Sequence, residues 1–327
     1  MTARIALDAM GGDHAPHQTV LGALDAAARG IDVVLVGDRS QLEAELAAAG
    51  SELPIVHAPE VVAMGDDPGS AIRAKKGASV TVAARLVSEG EVQGMVSAGS
   101  TGAALAAAAI VIGRLQGVSR PALATIFPMG SPAVVLDIGA NLEVRPSTLA
   151  EFGVMGSVLA EIYLGCSSPR VGLLNIGEEP GKGRAGEREA HALLGRMPID
   201  FVGNIEGRDL ADGKADVVVT DGFTGNVLLK TVEGTARVVA RDVLEALSAD
   251  DDPAFQAAVG LVLPRLMAVR ARLDPEVHGG AHLVGVKGTV VIAHGSSSRV
   301  AIGNALEMAA DGWEQGLLGK IEAGLDG

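Results

Sequence analysis

Glycine-rich polar turns carry most of the residues in this sequence that could do chemistry. Each turn follows a run of residues that favours a β-strand, and the six are DAMGGDHAP (8–16), SAGSTGA (97–103), DIGAN (137–141), NIGEEPGKG (175–183), DGFTGN (221–226) and HGSS (294–297). In open α/β sheets, ligands bind beyond the carboxyl ends of the strands. Together the turns predict one shared site at one sheet edge, although glycine after a strand is also common in simple tight turns.

The SAGSTGA turn has the local features of an anion cradle. Gly99 and Gly102 permit close approach of the backbone to a ligand, and Ser97, Ser100 and Thr101 supply hydroxyl groups. A helix predicted to begin near Thr101 adds unpaired N–H groups and the positive end of its dipole. These features predict a bound anion, whereas the simpler alternative is that Ser100 only caps the helix.

The NIGEEPGKG turn offers a mobile cation. Lys182 is flanked by Gly181 and Gly183, so it could reach a phosphate, or it could be an ordinary solvated lysine. The turn is not a nucleotide P-loop, because Gly177 and Gly181 are separated by three residues and no hydroxyl follows the lysine to hold Mg²⁺. The sequence therefore does not predict an ATPase.

The DGFTGN turn leads into a long predicted helix and contains Asp221, Gly225 and Asn226. An asparagine amide near a helix start can stabilise a developing oxyanion. We expect Asp221 and Asn226 to face the shared site, with simple N-capping as the alternative for Asn226.

Other kinds of catalytic site receive little support. Cys166 is the only cysteine and lies in LGCSSP, between a predicted helix and strand at the opposite sheet edge, so we expect a structural role. The seven histidines show no metal-ligand spacing, so no metal is predicted. Gly11 and Gly12 are followed by Asp13, whose carboxylate would repel the pyrophosphate of a dinucleotide.

Short β-forming runs alternate with helical runs along the chain, which predicts a three-layer α/β/α sandwich with a mostly parallel sheet. The predicted strands are 4–7, 32–36, 54–58, 94–97, 122–127, 133–136, 170–175, 200–202, 216–220 and 290–293. The predicted helices are 18–29, 40–49, 78–89, 101–114, 147–164, 187–195, 226–247, 254–273 and 298–310. We expect a single domain over 1–327, or two subdomains that share the sheet and divide near Arg145.

Composition limits the partners and the compartment. The net charge of −14 and the aromatic content of 2% disfavour nucleic-acid binding. A single cysteine fits a reducing compartment, and the N-terminus has no secretory signal pattern. The longest apolar run, 103–113, is far short of the roughly 20 residues of a spanning helix. These features predict a cytoplasmic protein that does not cross a membrane.

The motifs form an ordered set that resembles the bacterial phosphate acyltransferase family of phospholipid synthesis. The resemblance runs from the first strand to the last helix and includes the turns above with GNIEGRD (203–209), DGFTGNVLLK (221–230) and GGAHLVGVKG (279–288). It implies a fold similar to phosphotransacetylases and isocitrate dehydrogenases. It also implies that Lys182 and Asn226 are catalytic. His282 departs from the pattern, because proline is expected there, in a loop.

The resemblance also implies the reaction and the partners. Acyl carrier protein donates a long-chain acyl group, inorganic phosphate accepts it, and the acyl phosphate feeds a membrane acyltransferase that acylates glycerol 3-phosphate. A homodimer, loose contact with the membrane and no cofactor are expected. A nicotinamide-dependent dehydrogenase of similar fold and a non-catalytic acyl or phosphate sensor are the alternatives.

Under this interpretation phosphate attacks the thioester directly, so neither a catalytic cysteine nor a metal is required. The residues expected to bind phosphate and substrate are Asp8, Gly11, Gly12, Asp13, Ser97, Gly99, Ser100, Thr101, Gly102, Asn141, Gly181, Asp221, Gly225, His294 and Ser296.

The segment 261–273 could dock the acidic carrier protein, the membrane surface or each in turn. It combines an apolar stripe with the cations Arg265, Arg270 and Arg272, and Pro264 is expected to kink this helix or start a new one. The alternative is that the stripe packs in the dimer interface and the arginines are solvated.

Overall fold

The computed structural model describes residues 3–128, 130–249, 252–272 and 275–326. In these residues eleven strands form one sheet in the order β3-β2-β1-β4-β11-β10-β5-β6-β9-β7-β8. The strands are β1 (Arg4–Asp8), β2 (Asp32–Gly37), β3 (Ile55–His57), β4 (Gly94–Ser97), β5 (Ala122–Phe127), β6 (Ala133–Leu136), β7 (Arg170–Leu174), β8 (Asp200–Ile205), β9 (Val217–Val219), β10 (Ala281–Val284) and β11 (Thr289–Ile292). Every strand that the sequence predicts is present, and β10 is an addition to them.

The helices of the described residues are α1 (His17–Ala28), α2 (Arg39–Ala48), α3 (Pro68–Ala74), α4 (Ser79–Ser88), α5 (Thr101–Ala107), α6 (Pro146–Leu164), α7 (Ala185–Leu194), α8 (Asp209–Asp212), α9 (Gly222–Ser248), α10 (Pro253–Arg272), α11 (Arg299–Glu314) and α12 (Leu317–Asp326). A π-helical segment, Ala108–Ile112, continues α5, and a 3₁₀ turn, Pro275–His278, precedes β10. All nine predicted helices are present, whereas α3, α8 and α12 are additional. The predicted end of the α10 helix at residue 273 lies outside the described residues.

Helices cover both faces of the sheet, which confirms the predicted three-layer sandwich. On one face, Val34, Met95 and Val218 pack in a cluster with residues of α4, α5 and α9. On the other face, β1 packs against α1 and α11. Phe152 of α6 is fully buried on that same face, where it belongs to a cluster with residues of β5, β6, β7 and β9.

Seven of the ten strand pairings are parallel, as predicted, but the strand direction reverses at the centre of the sheet. β10 is antiparallel to β11 and β5, and β5 is antiparallel to β6. Strands β6, β7 and β9 therefore run opposite to β1, β4 and β11. The prediction that all six turns share one sheet edge is wrong, because three turns follow each group of strands.

The prediction that His282 lies in a loop is also wrong, because it lies in β10 and only 3% of it is exposed. Its Nε2 lies 2.6 Å from the hydroxyl of Tyr163, which donates to the carbonyl of Met308 at 2.8 Å. The ring nitrogen therefore donates to Tyr163. Burial lowers the pKa of His282 to about 4, so a neutral ring can occupy the strand.

α10 continues through Pro264, so the proline does not start a new helix. The segment Pro253–Ala271 has a mean hydropathy of 1.3, and none of it is buried. Among the described residues it is the one helix that is long and apolar enough to cross a membrane. It was not identified from the sequence, where only the longest purely apolar run, 103–113, was considered. It carries two arginines whose side chains are described, Arg265 and Arg270, and the apolar side chains of Leu261, Val262 and Val269 are exposed.

Candidate active site

A cleft of about 1340 Å³ lies between the sheet and α9. Its floor includes Leu123, Thr125 and Phe127, which point to one face of β5 because alternate residues of a strand share a face. The facing side of α9 contributes an apolar stripe at spacings of three and four residues: Leu229, Val232, Ala236, Ala240 and Leu244. The cleft therefore has two apolar walls.

Polar residues from both groups of turns reach this cleft. Gly99, Thr101, His294 and Ser296 follow β4 and β11, whereas Gly139 and Asn226 follow β6 and β9. The cleft spans the face of β5 and β10, the strands that separate the two groups. The two groups of turns can therefore still contribute to one site, although their strands run in opposite directions. That site lies on a face of the sheet and not along a single edge.

The start of α9 is fixed by close backbone contacts. A Cβ at Gly222 would lie 2.4 Å from the carbonyl oxygen of Asn141, and one at Gly225 would lie 1.9 Å from that of Asp137. Glycine is therefore required at both positions. Asp221 caps the helix by accepting from the backbone N–H of Thr224 at 2.7 Å. Asn226 consequently lies inside the helix and is not its cap.

Asn141 is used to hold the DIGAN turn together. Its side-chain amide donates to the carbonyl of Pro121 and to Oδ2 of Asp137, both at 2.8 Å. Asp137 is fully buried and also accepts from backbone N–H groups of its own turn and of Leu123. Burial raises the pKa of Asp137, and the hydrogen bonds oppose that rise. Both amide protons of Asn141 are therefore engaged away from the cleft.

Several residues of the SAGSTGA turn also act within the scaffold. The hydroxyl of Ser97 donates to Oδ2 of Asp8 at 2.6 Å, and burial raises the pKa of Asp8. The hydroxyl of Ser100 accepts from the backbone N–H of Ala103 and caps α5. A Cβ at Gly102 would lie 2.8 Å from Cγ of Pro68 in α3. In this turn it is Gly99 and Thr101 that line the large cleft.

The turn after β1 contacts the turns that follow β4 and β11. A Cβ at Gly11 would lie 2.8 Å from the backbone nitrogen of Gly99. Gly12 has a φ of 113°, and the N–H of Asp13 donates to the carbonyl of Gly295 at 2.7 Å. These three predicted ligands do not line the large cleft, and their contacts hold Gly99 and Gly295, which do line it.

Lys182 lies outside the cleft lining, in an exposed loop. Its Nζ is 3.8 Å from Oε2 of Glu179, and a Cβ at Gly181 would meet open space. Arg184 attaches this loop to α9, because its guanidinium donates to Oδ2 of Asp221 at 2.8 Å. The loop is thus fastened beside the helix start that carries Asn226.

The charged residues of α9 that line the cleft were not identified from the sequence, and they are Lys230, Glu233, Arg237, Arg241 and Glu245. They follow Asn226 by 4, 7, 11, 15 and 19 residues, which places them near one helix face. This spacing was available in the sequence, but charges on a long helix usually indicate a solvated face.

The arginines predicted to dock the carrier protein differ in their positions. Arg270 lines the cleft, Arg265 does not, and the side chain of Arg272 lies outside the described residues. Cys166 is half-buried near Asp216, and burial raises the pKa of its thiol. No cluster of three or more potential metal ligands occurs among the described residues.

Comparison with known proteins gives matches over nearly the whole chain. A family model described as fatty acid synthesis protein matches residues 3–319. The chain is 49% identical to a phosphate acyltransferase of Thermus thermophilus, with 97% of each chain covered. It is 47% identical to the phosphate acyltransferase of Desulforamulus reducens, covering 99% of this chain and 97% of the relative.

Solved structures of similar fold are more distant in sequence. A phosphotransacetylase from Streptococcus pyogenes has a TM-score of 0.63 at 17% identity, covering 96% of this chain and 94% of the other. A branched-chain phosphotransacylase from Enterococcus faecalis has a TM-score of 0.56 at 18% identity, covering 94% and 98%. At this identity the likeness concerns the fold alone, and it agrees with the fold that the sequence predicts.

Proposed function

Because the chain belongs to the phosphate acyltransferase family and is an acyltransferase, we propose that it transfers a long-chain fatty acyl group from acyl carrier protein to inorganic phosphate. The product is an acyl phosphate for phospholipid synthesis. Phosphate attacks the thioester directly. The names of the curated relatives favour this activity over the two alternatives that the sequence left open, a dehydrogenase and a non-catalytic sensor.

The observation that carries this proposal is the shape of the cleft. From Asn226 to Leu244 the facing side of α9 extends over eighteen residues, about 27 Å at 1.5 Å per residue. Its apolar stripe faces the apolar side chains of β5 across the cleft. A long acyl chain would bury apolar surface along this length, and its thioester would reach the polar end near Asn226.

The polar end offers the groups that direct transfer needs. Gly99 and Thr101 lie at the start of α5, where backbone N–H groups and the helix dipole favour an anion such as phosphate. We assign the side-chain amide of Asn226 to the developing oxyanion. Lys182 is assigned to phosphate, which requires its loop to move from its pairing with Glu179.

The remaining predicted ligands are assigned supporting roles. Asp8, Ser97, Ser100 and Asn141 use their side chains to hold the turns, and Asp221 links α9 to Arg184. These residues position the backbone around the substrate without contacting it. His294 and Ser296 remain candidates for direct contact, because both line the cleft.

For the partners, we propose a cytoplasmic homodimer that contacts the membrane peripherally. The α9–α10 hairpin supports this proposal, since Val239 and Val243 of α9 and Leu261 and Val269 of α10 are exposed. An exposed apolar helix pair with Arg265 and Arg270 beside it could receive an acidic carrier protein or an anionic membrane surface. The acyl phosphate would pass to a membrane glycerol-3-phosphate acyltransferase.

The test is turnover of palmitoyl–acyl carrier protein with and without inorganic phosphate. We expect release of the carrier thiol only with phosphate, together with a product that hydroxylamine converts to the acyl hydroxamate. Thiol release that does not depend on phosphate would indicate a thioesterase and contradict the proposal.

A matched pair of variants tests the cleft. Ala240→Phe fills the apolar wall and is expected to slow palmitoyl transfer more than transfer of a short acyl group such as butyryl. Val238→Phe places the same side chain at a nearby position that is 42% exposed and outside the cleft lining, so both transfers should persist. Equal effects of the two variants would show that the acyl chain does not bind in this cleft.

A further inference from the structure

Lys230 and His294 meet across the cleft from separate elements. Lys230 lies on α9, one helical turn beyond Asn226, and His294 lies in the turn after β11. Nζ of Lys230 is 3.4 Å from Nε2 of His294. Glu233 is 2.9 Å from Nζ of Lys230 and 4.0 Å from Nε2 of His294. All three residues line the cleft.

The contact favours one arrangement of the imidazole ring. A lysine ammonium has only donors, so the ring accepts from it at Nε2 in the tautomer that carries its proton on Nδ1. The side chain of His294 is 60% exposed and can exchange protons with a molecule in the cleft or with water. The charged groups around it are Lys230 and Glu233 of α9, and Asp13, whose backbone N–H binds the neighbouring Gly295.

The proposed reaction requires a proton to move from one substrate to the other. An oxygen of hydrogen phosphate forms a bond to the acyl carbon, and the carbon–sulfur bond breaks with its electron pair on sulfur. An alkyl thiol has a pKa of about 8.5, so the thiolate takes up a proton near neutral pH. Hydrogen phosphate must lose its proton, because the product is the acyl phosphate dianion.

We propose that His294 is the proton donor to the departing sulfur and that Lys230 completes the relay. This inference rests on acyl transfer to phosphate as proposed above. The Nδ1 proton passes to sulfur while Lys230 passes a proton to Nε2, and the phosphate proton then passes to Lys230. Sulfur gains one proton and phosphate loses one, while the ring and the ammonium each gain and lose one. Glu233 positions Lys230, and exchange with water restores the tautomer of the ring.

The test varies the basicity of the leaving group. Wild type and His294→Gln are compared on pantetheine and phenyl thioesters of the same acyl chain, in the presence of phosphate. Glutamine can hydrogen-bond but cannot transfer a proton. We expect kcat for the pantetheine thioester to fall about 10²-fold, a usual contribution of general acid catalysis. The phenyl thioester releases a much less basic thiolate, so its turnover should fall far less.

Lys230→Met should give the same dependence on the leaving group, and Lys230→Arg should recover part of the loss. His17→Gln, on α1 and outside the cleft lining, is the matched histidine control and should retain wild-type rates on both thioesters. If His294→Gln slows both thioesters equally, the ring only positions substrate and the relay is wrong. If wild type releases no thiol from palmitoyl–acyl carrier protein in phosphate, the proposed function itself fails, and the relay with it.

Discussion

Replacing the buried His282 with glutamine is expected to remove part of the acid sensitivity of folding. In the native protein burial holds the pKa of His282 at about 4, against an ordinary value of 6.5. The unfolded chain therefore binds a proton more readily than the native chain between these two values. Stability from the neutral ring is fully present above about pH 6.5 and is lost as the pH falls towards 4.

The magnitude follows from the two pKa values. Their difference of about 2.5 corresponds to about 3 kcal/mol in the free energy of unfolding, the largest loss that this one side chain can cause. Nδ1 of His282 is buried without a hydrogen-bond partner among the described residues, and the backbone carbonyls of Met308 and Val290 near the ring oppose the effect of burial on its pKa without reversing it. Glutamine keeps a donor for Tyr163 and cannot gain a charge in this range.

The measurement is urea unfolding of wild type and His282→Gln at several pH values from 4.5 to 7.5. The free-energy difference between the two proteins should change by about 2–3 kcal/mol across this range, in favour of the variant at low pH. Leu283→Met, at the next buried position of β10, is the control and should shift stability by a constant amount at every pH. Parallel curves for wild type and His282→Gln would refute the reasoning.

Three further substitutions test separate parts of the site. Gly225→Ala should destabilise the protein by about 1–3 kcal/mol in thermal unfolding, because its Cβ would overlap the carbonyl of Asp137; an unchanged melting temperature would contradict this close contact. Lys182→Ala should lower kcat about 10²–10³-fold with an unchanged circular dichroism spectrum, and normal saturation by phosphate would remove Lys182 from the site. Joint charge reversal of Arg265 and Arg270 should weaken carrier-protein binding at low salt and have less effect at high salt, whereas unchanged low-salt affinity would place docking elsewhere.

Most of the sheet can be predicted from the sequence because its strands are short, apolar and bounded by turns. β5 and β6 are found with their observed bounds for this reason. β10 is not found, because Gly279 and Gly280 precede it and His282 interrupts its apolar run. Only the contact with Tyr163, distant in sequence, makes that histidine compatible with a buried strand.

The antiparallel pairing of β5 with β6 explains the error in the site. β11 and β5 run in the same direction because both are antiparallel to β10, so the reversal that separates the two groups of turns arises between β5 and β6. The sequence identifies the turns themselves but cannot show which of their side chains turn inwards. Ser97 and Asn141 look like ligands in the sequence, and hydrogen bonds to buried carboxylates direct them into the scaffold instead.

The site therefore depends on α9 more than its glycine-rich turns suggest. Under the proposed function a turn holds the phosphate and a long acyl chain needs a continuous apolar wall, and the described part of α9 supplies such a wall beside its charged residues. This helix is held at its first turn by Gly222, Gly225 and the cap at Asp221, while most of its length is exposed. In the same proposal, a helix fixed at one end brings Asn226 and Lys230 to the reacting atoms reproducibly.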